Sequence, residues 1–219
     1  MRTLIINCKN YPEVLGEGAV KLARAVARVA EEGEVRAIIA PPTPLLALVS
    51  SKTEATVYSQ DVGAVEGDKT TGAVLPDAVR AAGGIGTILN HSESKKPFGV
   101  LSELVPRLRG LEVCLCAVTS TEAAKLSRLG PTYVAVEPPE LIGTGVSVSK
   151  ARPALVRETV AAVRDAGYGG RVLCGAGIVT GADVKKAIEL GADGVLVASS
   201  VVKAPDWNAK VRELADSLL

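Results

Sequence analysis

Residues 132–145 read TYVAVEPPELIGTG, and the order of residue types in that stretch decides how the rest of the chain is read. The run from Tyr133 to Val136 is apolar throughout, so it does not alternate as a strand with one wet face would. A strand covered on both faces reads this way, which marks a parallel sheet sandwiched by helices. Glu137 closes the run, and Pro138-Pro139 stiffen its exit. A charge held at the end of a buried strand costs free energy unless it serves a purpose.

The same pattern recurs on both sides of that stretch. Near-continuous apolar runs at Thr3–Cys8, Val35–Ala40, Thr56–Gln60, Gly86–Asn90, Glu112–Ala117, Tyr133–Glu137, Arg171–Gly175 and Gly194–Ala198 are read as strands. Helical patterns fall between them. Glu17–Glu32 repeats Val20, Ala23, Ala27 and Ala30 at helical spacing, and Pro153–Asp165 starts on a proline, whose missing N–H does no harm there. Thr180–Leu190 is predicted to be capped by Thr180 with Asp183 at the capping-box position, and Gly191 to stop it. Asp206 is expected to cap the last helix, with Trp207, the sole tryptophan, packed beside it.

Strand followed by helix or turn, eight times over with no Pro/Gly/Ser-rich linker, predicts one α/β domain spanning residues 1–219. Eight such units can close into a single (β/α)8 barrel of parallel strands. The rival is an open doubly wound sheet, which usually carries an early G-x-G-x-x-G; the first strand here ends in Asn-Cys-Lys instead.

Bulk composition fits and narrows the function. Hydrophobic residues make up 47% of 219, ample for a large core, and the formal charge is only +1. No global field draws nucleic acid or a membrane surface, so any anion site must be local. The opening MRTLIINCKN is too short and too quickly polar for a signal peptide, and no apolar run reaches the roughly 18 residues of a membrane span; a cytoplasmic location is expected. Cys8, Cys114, Cys116 and Cys174 lie in or at the end of strand runs. Buried reduced thiols are expected, because side-by-side strand positions suit a disulfide poorly, and a metal would need more ligands at proper spacing while the one histidine is remote in sequence.

Chemistry in barrels sits at the carboxyl ends of the strands. There the sequence places Asn7-Cys8-Lys9, Asn90-His91-Ser92-Glu93, Glu137, Gly175-Ala176-Gly177 and Ala198-Ser199-Ser200. Taken singly, each has a plain reading: a solvated lysine, a structural histidine, a turn. Together they would bring a cation, an imidazole and a carboxylate to one mouth, beside two small-residue loops.

In this order, IINCKNY, ILNHSE, VAVEPPELIGTG, LCGAGI and GVLVASS resemble the motifs of the triosephosphate isomerases, whose fold is the TIM barrel, and the wording and length are most similar to the archaeal branch. The resemblance implies interconversion of dihydroxyacetone phosphate and glyceraldehyde 3-phosphate, without metal or organic cofactor. It implies Glu137 as base, His91 as the neutral electrophile and proton shuttle, and Lys9 as the cation that offsets enediolate charge. It further implies that Asn7 holds oxygen or Lys9, that Cys8 lies in the substrate-binding segment, and that Glu93 pairs with Lys9. Ile142 and Gly143 would belong to a lid over the substrate, and Gly143, Gly177, Ala198 and Ser199 would offer backbone N–H groups to its phosphate. Two departures stand out. An arginine pair common in the family is replaced by Lys95-Lys96, with Pro97 limiting any helix there to about one turn, and the seventh and eighth loops lack the usual serine and glycine pair. Thr71-Gly72 in DKTTGAV resembles the family's interdigitating third loop, which implies a homo-oligomer, a tetramer over a dimer.

Two other functions compete: another sugar-phosphate barrel enzyme, or a non-catalytic barrel. The first would not usually combine Asn-x-Lys, Asn-His-Ser-Glu and Glu-Pro-Pro on strands one, four and six. The second should have lost Lys9, His91 or Glu137.

Overall fold

In the computed structural model, which describes every residue except Glu66 and Asp68, eight strands pair in parallel, each with the next along the chain, and the last returns to the first. They are β1 (Arg2–Asn7), β2 (Val35–Ala40), β3 (Thr56–Ser59), β4 (Gly86–Leu89), β5 (Glu112–Ala117), β6 (Tyr133–Val136), β7 (Arg171–Cys174) and β8 (Gly194–Val197). The closed ring leaves no sheet edge, and the open doubly wound alternative is excluded. Around it run α1 (Glu17–Glu31), α2 (Leu46–Lys52), α3 (Pro76–Ala81), α4 (Phe98–Arg107), α5 (Ser120–Ser127), α6 (Val148–Ala151), α7 (Pro153–Asp165), α8 (Gly181–Glu189), α9 (Ser199–Val202) and α10 (Trp207–Asp216). No described helix is long and apolar enough to cross a membrane.

Six strands stop one residue short of the sequence reading: Cys8, Gln60, Asn90, Glu137, Gly175 and Ala198 fall just past β1, β3, β4, β6, β7 and β8. Cys8, Glu137 and Gly175 still donate their N–H groups to the neighbouring strand, and the mouth begins just beyond, where Lys9 and Asn90 take positive φ. Helix signals in the sequence correspond to real caps. Thr180 and Asp183 make both halves of the capping box on α8, and Asp206 accepts the Ala209 N–H at 3.0 Å to start α10. Trp207 packs on the core and donates its indole N–H to Val202 O at 3.0 Å. Asp68 of the DKTTGAV stretch lies outside the described residues.

Strand side chains alternate between two dry compartments. Ile5, Ile38, Tyr58, Ile88, Cys114, Cys116, Tyr133, Ala135, Leu173 and Leu196 fill the barrel interior. Leu4, Ile6, Cys8, Val134, Val136 and Cys174 face the helices. At the amino-terminal end of the strands Glu112 receives Arg36 on both oxygens at 2.7 Å and the Tyr58 hydroxyl, an ionic network that leaves Arg36 Nε without a partner among the described residues. All four cysteines are free and buried, Cys114 and Cys116 side by side on the inner face. Burial pushes the Cys8 thiol up to about 12, which makes it a poor nucleophile.

Candidate active site

The period of two decides which strand-end groups reach the mouth from inside. Ile5 points inward, so Asn7, two residues on, does too. Tyr133 and Ala135 point inward, so Glu137 caps that column above a small residue. By the same rule Leu4, Ile6 and Cys8 point outward. Cys8 therefore does not line the cavity with Asn7 and Lys9; its side chain is enclosed between barrel and helices, and its N–H donates to Ala40 O at 2.9 Å.

Among the described residues, three non-glycine positions have positive φ: Lys9 (46°), Asn90 (60°) and Ala176 (67°). They lie at the mouth, beyond β1, β4 and β7. Such residues cost about 1–3 kcal/mol each and persist only where neighbours hold them. Lys9 is held on both sides of its backbone: its N–H donates to Asn7 Oδ1 at 3.0 Å, and its carbonyl accepts from Gln60 Nε2 at 2.8 Å. The ammonium then reaches Glu93 Oε1 at 2.6 Å. Asn90 is buried; it donates to Cys116 O at 2.8 Å and Glu122 Oε1 at 3.2 Å, and accepts the Lys96 N–H at 3.0 Å. The two lysines that replace the arginine pair are themselves anchored, Lys95 on Glu122 at 2.5 Å and Lys96 on Asp61 at 2.6 Å.

His91 caps the 3-10 turn Ser92–Ser94, its Nδ1 accepting the Glu93 N–H at 3.2 Å. As expected from Pro97, that turn ends before α4 begins. With Nδ1 occupied as an acceptor, the ring's proton belongs on Nε2. That nitrogen faces Glu137 Oε2 across 3.6 Å. Glu137 is buried, and Oε2 has no hydrogen-bond partner among the described residues. Burial pushes its carboxyl above the usual carboxylate range, against the pull of the imidazole, the Cys116 thiol and the Lys9 ammonium. Gly175 stands beside it, just past the end of β7. A Cβ there would fall 2.3 Å from Glu137 Cγ and 2.6 Å from Oε1, so the carboxylate occupies the space a side chain would need.

A cavity of about 360 Å³ joins these groups to the last two loops. Asn7, Lys9, His91 and Glu137 line one part; Gly177, Ala198 and Ser199 line the other, with Ile142 and Gly143 above. None of the N–H groups of Gly143, Gly177, Ala198 and Ser199 donates a turn, loop or cap hydrogen bond among the described residues. The segment over the cavity is internally bonded: Leu141 N–H to Pro138 O at 3.1 Å, and the Thr144 hydroxyl to Leu141 O at 2.9 Å. Gly143 and Gly145, both at positive φ, follow that turn, and Arg152 pairs with Glu140 at its tip. Gly177 touches the far hinge so closely that a Cβ would lie 1.9 Å from Val146 O.

Gln60, Glu122, Gly175, Tyr11, Ser200 and Lys203 belong to this mouth or its support and carry no role in the sequence reading. Gln60 closes the third strand, so a strand-end amide was a signal to hand. Glu122 acts across 32 residues on Asn90, which no local pattern marks.

A closed parallel barrel with a carboxylate, an imidazole and an ammonium on three strand ends, facing unbonded amides on two more loops, defines the (β/α)8-barrel enzymes that work at the carboxyl mouth. The triosephosphate isomerase family model matches residues 2–214. The chain belongs to the triosephosphate isomerase family. It is 48% identical over 217 residues to the triosephosphate isomerase of Cenarchaeum symbiosum (strain A), covering 98% of this chain and 97% of the relative. The corresponding protein of Caldivirga maquilingensis is 45% identical over 218 residues, 99% and 97% of the two chains. That of Methanothermus fervidus is 41% identical over 213 residues, 96% of each.

Proposed function

We propose that Glu137, His91 and Lys9 carry out the isomerisation of dihydroxyacetone phosphate and D-glyceraldehyde 3-phosphate, a step of glycolysis and gluconeogenesis, by proton transfer through an enediolate. The observation that carries this is the facing pair: the unbonded, buried Glu137 Oε2 and the His91 nitrogen 3.6 Å from it, open to one cavity. The Glu137 carboxylate removes a proton from C1 of the ketose, leaving an enediolate. His91 Nε2–H gives its proton to O2 while the ring takes the O1 proton, and Glu137 returns its proton to C2. Triosephosphate isomerase is itself the reference case for this pairing of a carboxylate base with a neutral imidazole. Lys9 opposes the negative charge that gathers on the two oxygens, and Asn7 and Glu93 keep its ammonium aimed.

The phosphate end rests on the free amides of Gly143, Gly177, Ala198 and Ser199. Backbone N–H groups gathered in a concave turn suit a dianion. Ile142 and Gly143 close over it as part of a lid, which excludes water and keeps the enediolate from eliminating phosphate. Every step is a proton transfer among these groups, so the chemistry calls for neither metal nor organic cofactor.

The assembly belongs to the same proposal: a cytoplasmic homo-oligomer, a tetramer over a dimer. Its support is the third-loop resemblance at Thr71-Gly72 and the exposed apolar Val65 and Ile85. Light scattering on the purified chain reads it directly, and a monomer contradicts it. The activity is tested by a coupled assay that follows dihydroxyacetone phosphate formed from glyceraldehyde 3-phosphate. Turnover by the parent, lost in Glu137→Gln, supports the reading; a parent that does not isomerise overturns it.

A further inference from the structure

The outer ring of helices carries a concentration of positive charge away from the mouth. On α1, Lys21, Arg24 and Arg28 fall three and four residues apart, so their side chains leave one face of the helix. All three are exposed. The acids of that helix are engaged elsewhere. Glu17 is drawn chiefly to Lys52 at 2.7 Å, with Arg24 and Lys21 as weaker attractions, and Glu32, just past the helix end, takes Arg212 at 2.6 and 2.5 Å. Among the described residues, Lys21, Arg24 and Arg28 form no ion pair. Arg28 alone is hydrogen-bonded, its Nη1 donating to the neutral Asn208 Oδ1 at 2.8 Å.

These cations line one side of a groove of about 630 Å³, and residues 204–208 at the start of α10 line the other. The one acid in that lining is Asp206, whose Oδ1 already accepts the Ala209 N–H at 3.0 Å. Three cations against one carboxylate leave two positive charges in the groove, where the whole chain carries only +1. The N–H groups of Trp207 and Asn208, in the first turn of α10, donate no turn, loop or cap hydrogen bond among the described residues, and the helix dipole adds to the positive field there. No residue of the groove lines the barrel-mouth cavity.

We propose that this groove between α1 and α10 binds a ligand of two or three linked phosphates, a polyphosphate or a nucleotide bearing one, at a site separate from the barrel mouth. Seven residues of helix span about 10 Å from Lys21 to Arg28. A single phosphate would have to draw the two ends together, whereas a chain of phosphates lies along all three cations. The forks of Arg24 and Arg28 match phosphate oxygens in pairs, and Lys21 adds a point charge. Pro205 and Trp207 give the groove an apolar wall, and its size leaves room for a nucleoside beside the phosphates. A long nucleic acid would need a longer charged track, and the positive face ends at the Glu17–Lys52 and Glu32–Arg212 pairs.

Trp207 is the only tryptophan of the chain, so its fluorescence reports on this groove. The parent is titrated with tripolyphosphate and with adenosine triphosphate, at low salt and without divalent cations, in the presence and absence of saturating dihydroxyacetone phosphate. Saturable binding of one ligand per chain is expected, unchanged by dihydroxyacetone phosphate. Lys21→Gln, Arg24→Gln and Arg28→Gln each weaken it about threefold, as for an exposed charge pair, and the three together about 30-fold. Arg24→Lys falls between the parent and Arg24→Gln. All variants keep the parent kcat/KM on glyceraldehyde 3-phosphate, and the single variants carry the test should the triple one fold poorly. Tighter binding of the nucleotide than of tripolyphosphate identifies a nucleotide site, and equal binding a site for the phosphates alone; both support the proposal. Binding that dihydroxyacetone phosphate displaces, or that the triple variant retains, overturns it. So does inorganic phosphate binding as tightly as tripolyphosphate, which would make the groove a general anion surface. A single-stranded oligonucleotide that binds more tightly than either probe overturns it in favour of nucleic acid.

Discussion

Glu137→Gln is expected to make the protein more stable and nearly inactive at the same time. The fold holds the carboxyl in a buried place with Oε2 unbonded among the described residues, and burial raises its pKa. A group whose pKa is raised by folding favours the native state at low pH and loses that contribution as pH rises through the raised value. Around pH 8 the parent carries a buried charge that its surroundings do not fully satisfy. An unsatisfied buried acceptor costs about 1–3 kcal/mol. Glutamine removes the charge but leaves an amide with part of the same deficit, so the net gain is on the order of 1 kcal/mol. For a chain of this size that is a rise of about 2–4 °C in Tm. The gain should shrink toward nothing as the pH falls through the raised pKa, because the parent then holds the neutral acid too. Over the same substitution kcat should fall by about 10²–10⁴, the usual contribution of a positioned base. Calorimetric melts at about pH 8 and pH 5, with coupled assays on the same samples, measure both effects. Equal or lower stability of the variant near pH 8, or more than about a tenth of the parent turnover, refutes the reasoning.

Three further substitutions or measurements probe the support around that carboxylate. Gly175→Ala puts a methyl 2.3 Å from Glu137 Cγ where ordinary contact begins at 3.4 Å, so the base must retreat by roughly 1 Å. A loss of about 100-fold in kcat follows from such a displacement, and retention of parent turnover contradicts it. Deleting residues 140–143 should leave Lys9, His91 and Glu137 on their strand ends while turnover drops and methylglyoxal and inorganic phosphate appear as products; unchanged turnover with no extra phosphate would make the segment a mere loop. Nitrogen-15 spectra of the single histidine should show Nε2 protonated and Nδ1 bare, since Nδ1 accepts the Glu93 N–H; protons on both nitrogens, or on Nδ1 alone, would remove the electrophile.

The barrel was legible because its signal is local and repeated. Each strand is buried on both faces, so YVAV, VLC and GVLV read as apolar runs without reference to anything distant. Helix caps at Thr180 and Asp206 were legible for the same reason, being bonds between residues three apart. The strand-end rule brought Lys9, His91, Glu137, Gly177, Ala198 and Ser199 to the mouth, and the structure gathers all of them on one cavity. Cys8 escaped that rule because a strand end has two sides, and the period counted from Ile5 sends Cys8 outward. Contacts between distant segments were out of reach. Gln60 bonding the Lys9 carbonyl and Glu122 bonding Asn90 depend on loops that meet only once the barrel has closed. Gly175 was legible as a glycine but not as the space for Glu137, since nothing in LCGAGI says which neighbour fills the missing side chain.

The central claim is that Glu137 moves a proton through an enediolate rather than passing a hydride between carbons. Isomerisation of dihydroxyacetone phosphate in D2O, with the product trapped as it forms and examined by mass and proton NMR, tests it most directly. A proton held on the Glu137 carboxyl can exchange with solvent before it returns to carbon, so the account requires a measurable share of glyceraldehyde 3-phosphate with deuterium at C2. Glu137→Gln should abolish both turnover and label. Product formed at the parent rate with no deuterium at C2 would mean that hydrogen crosses without exchanging, and the role given to Glu137 would be wrong.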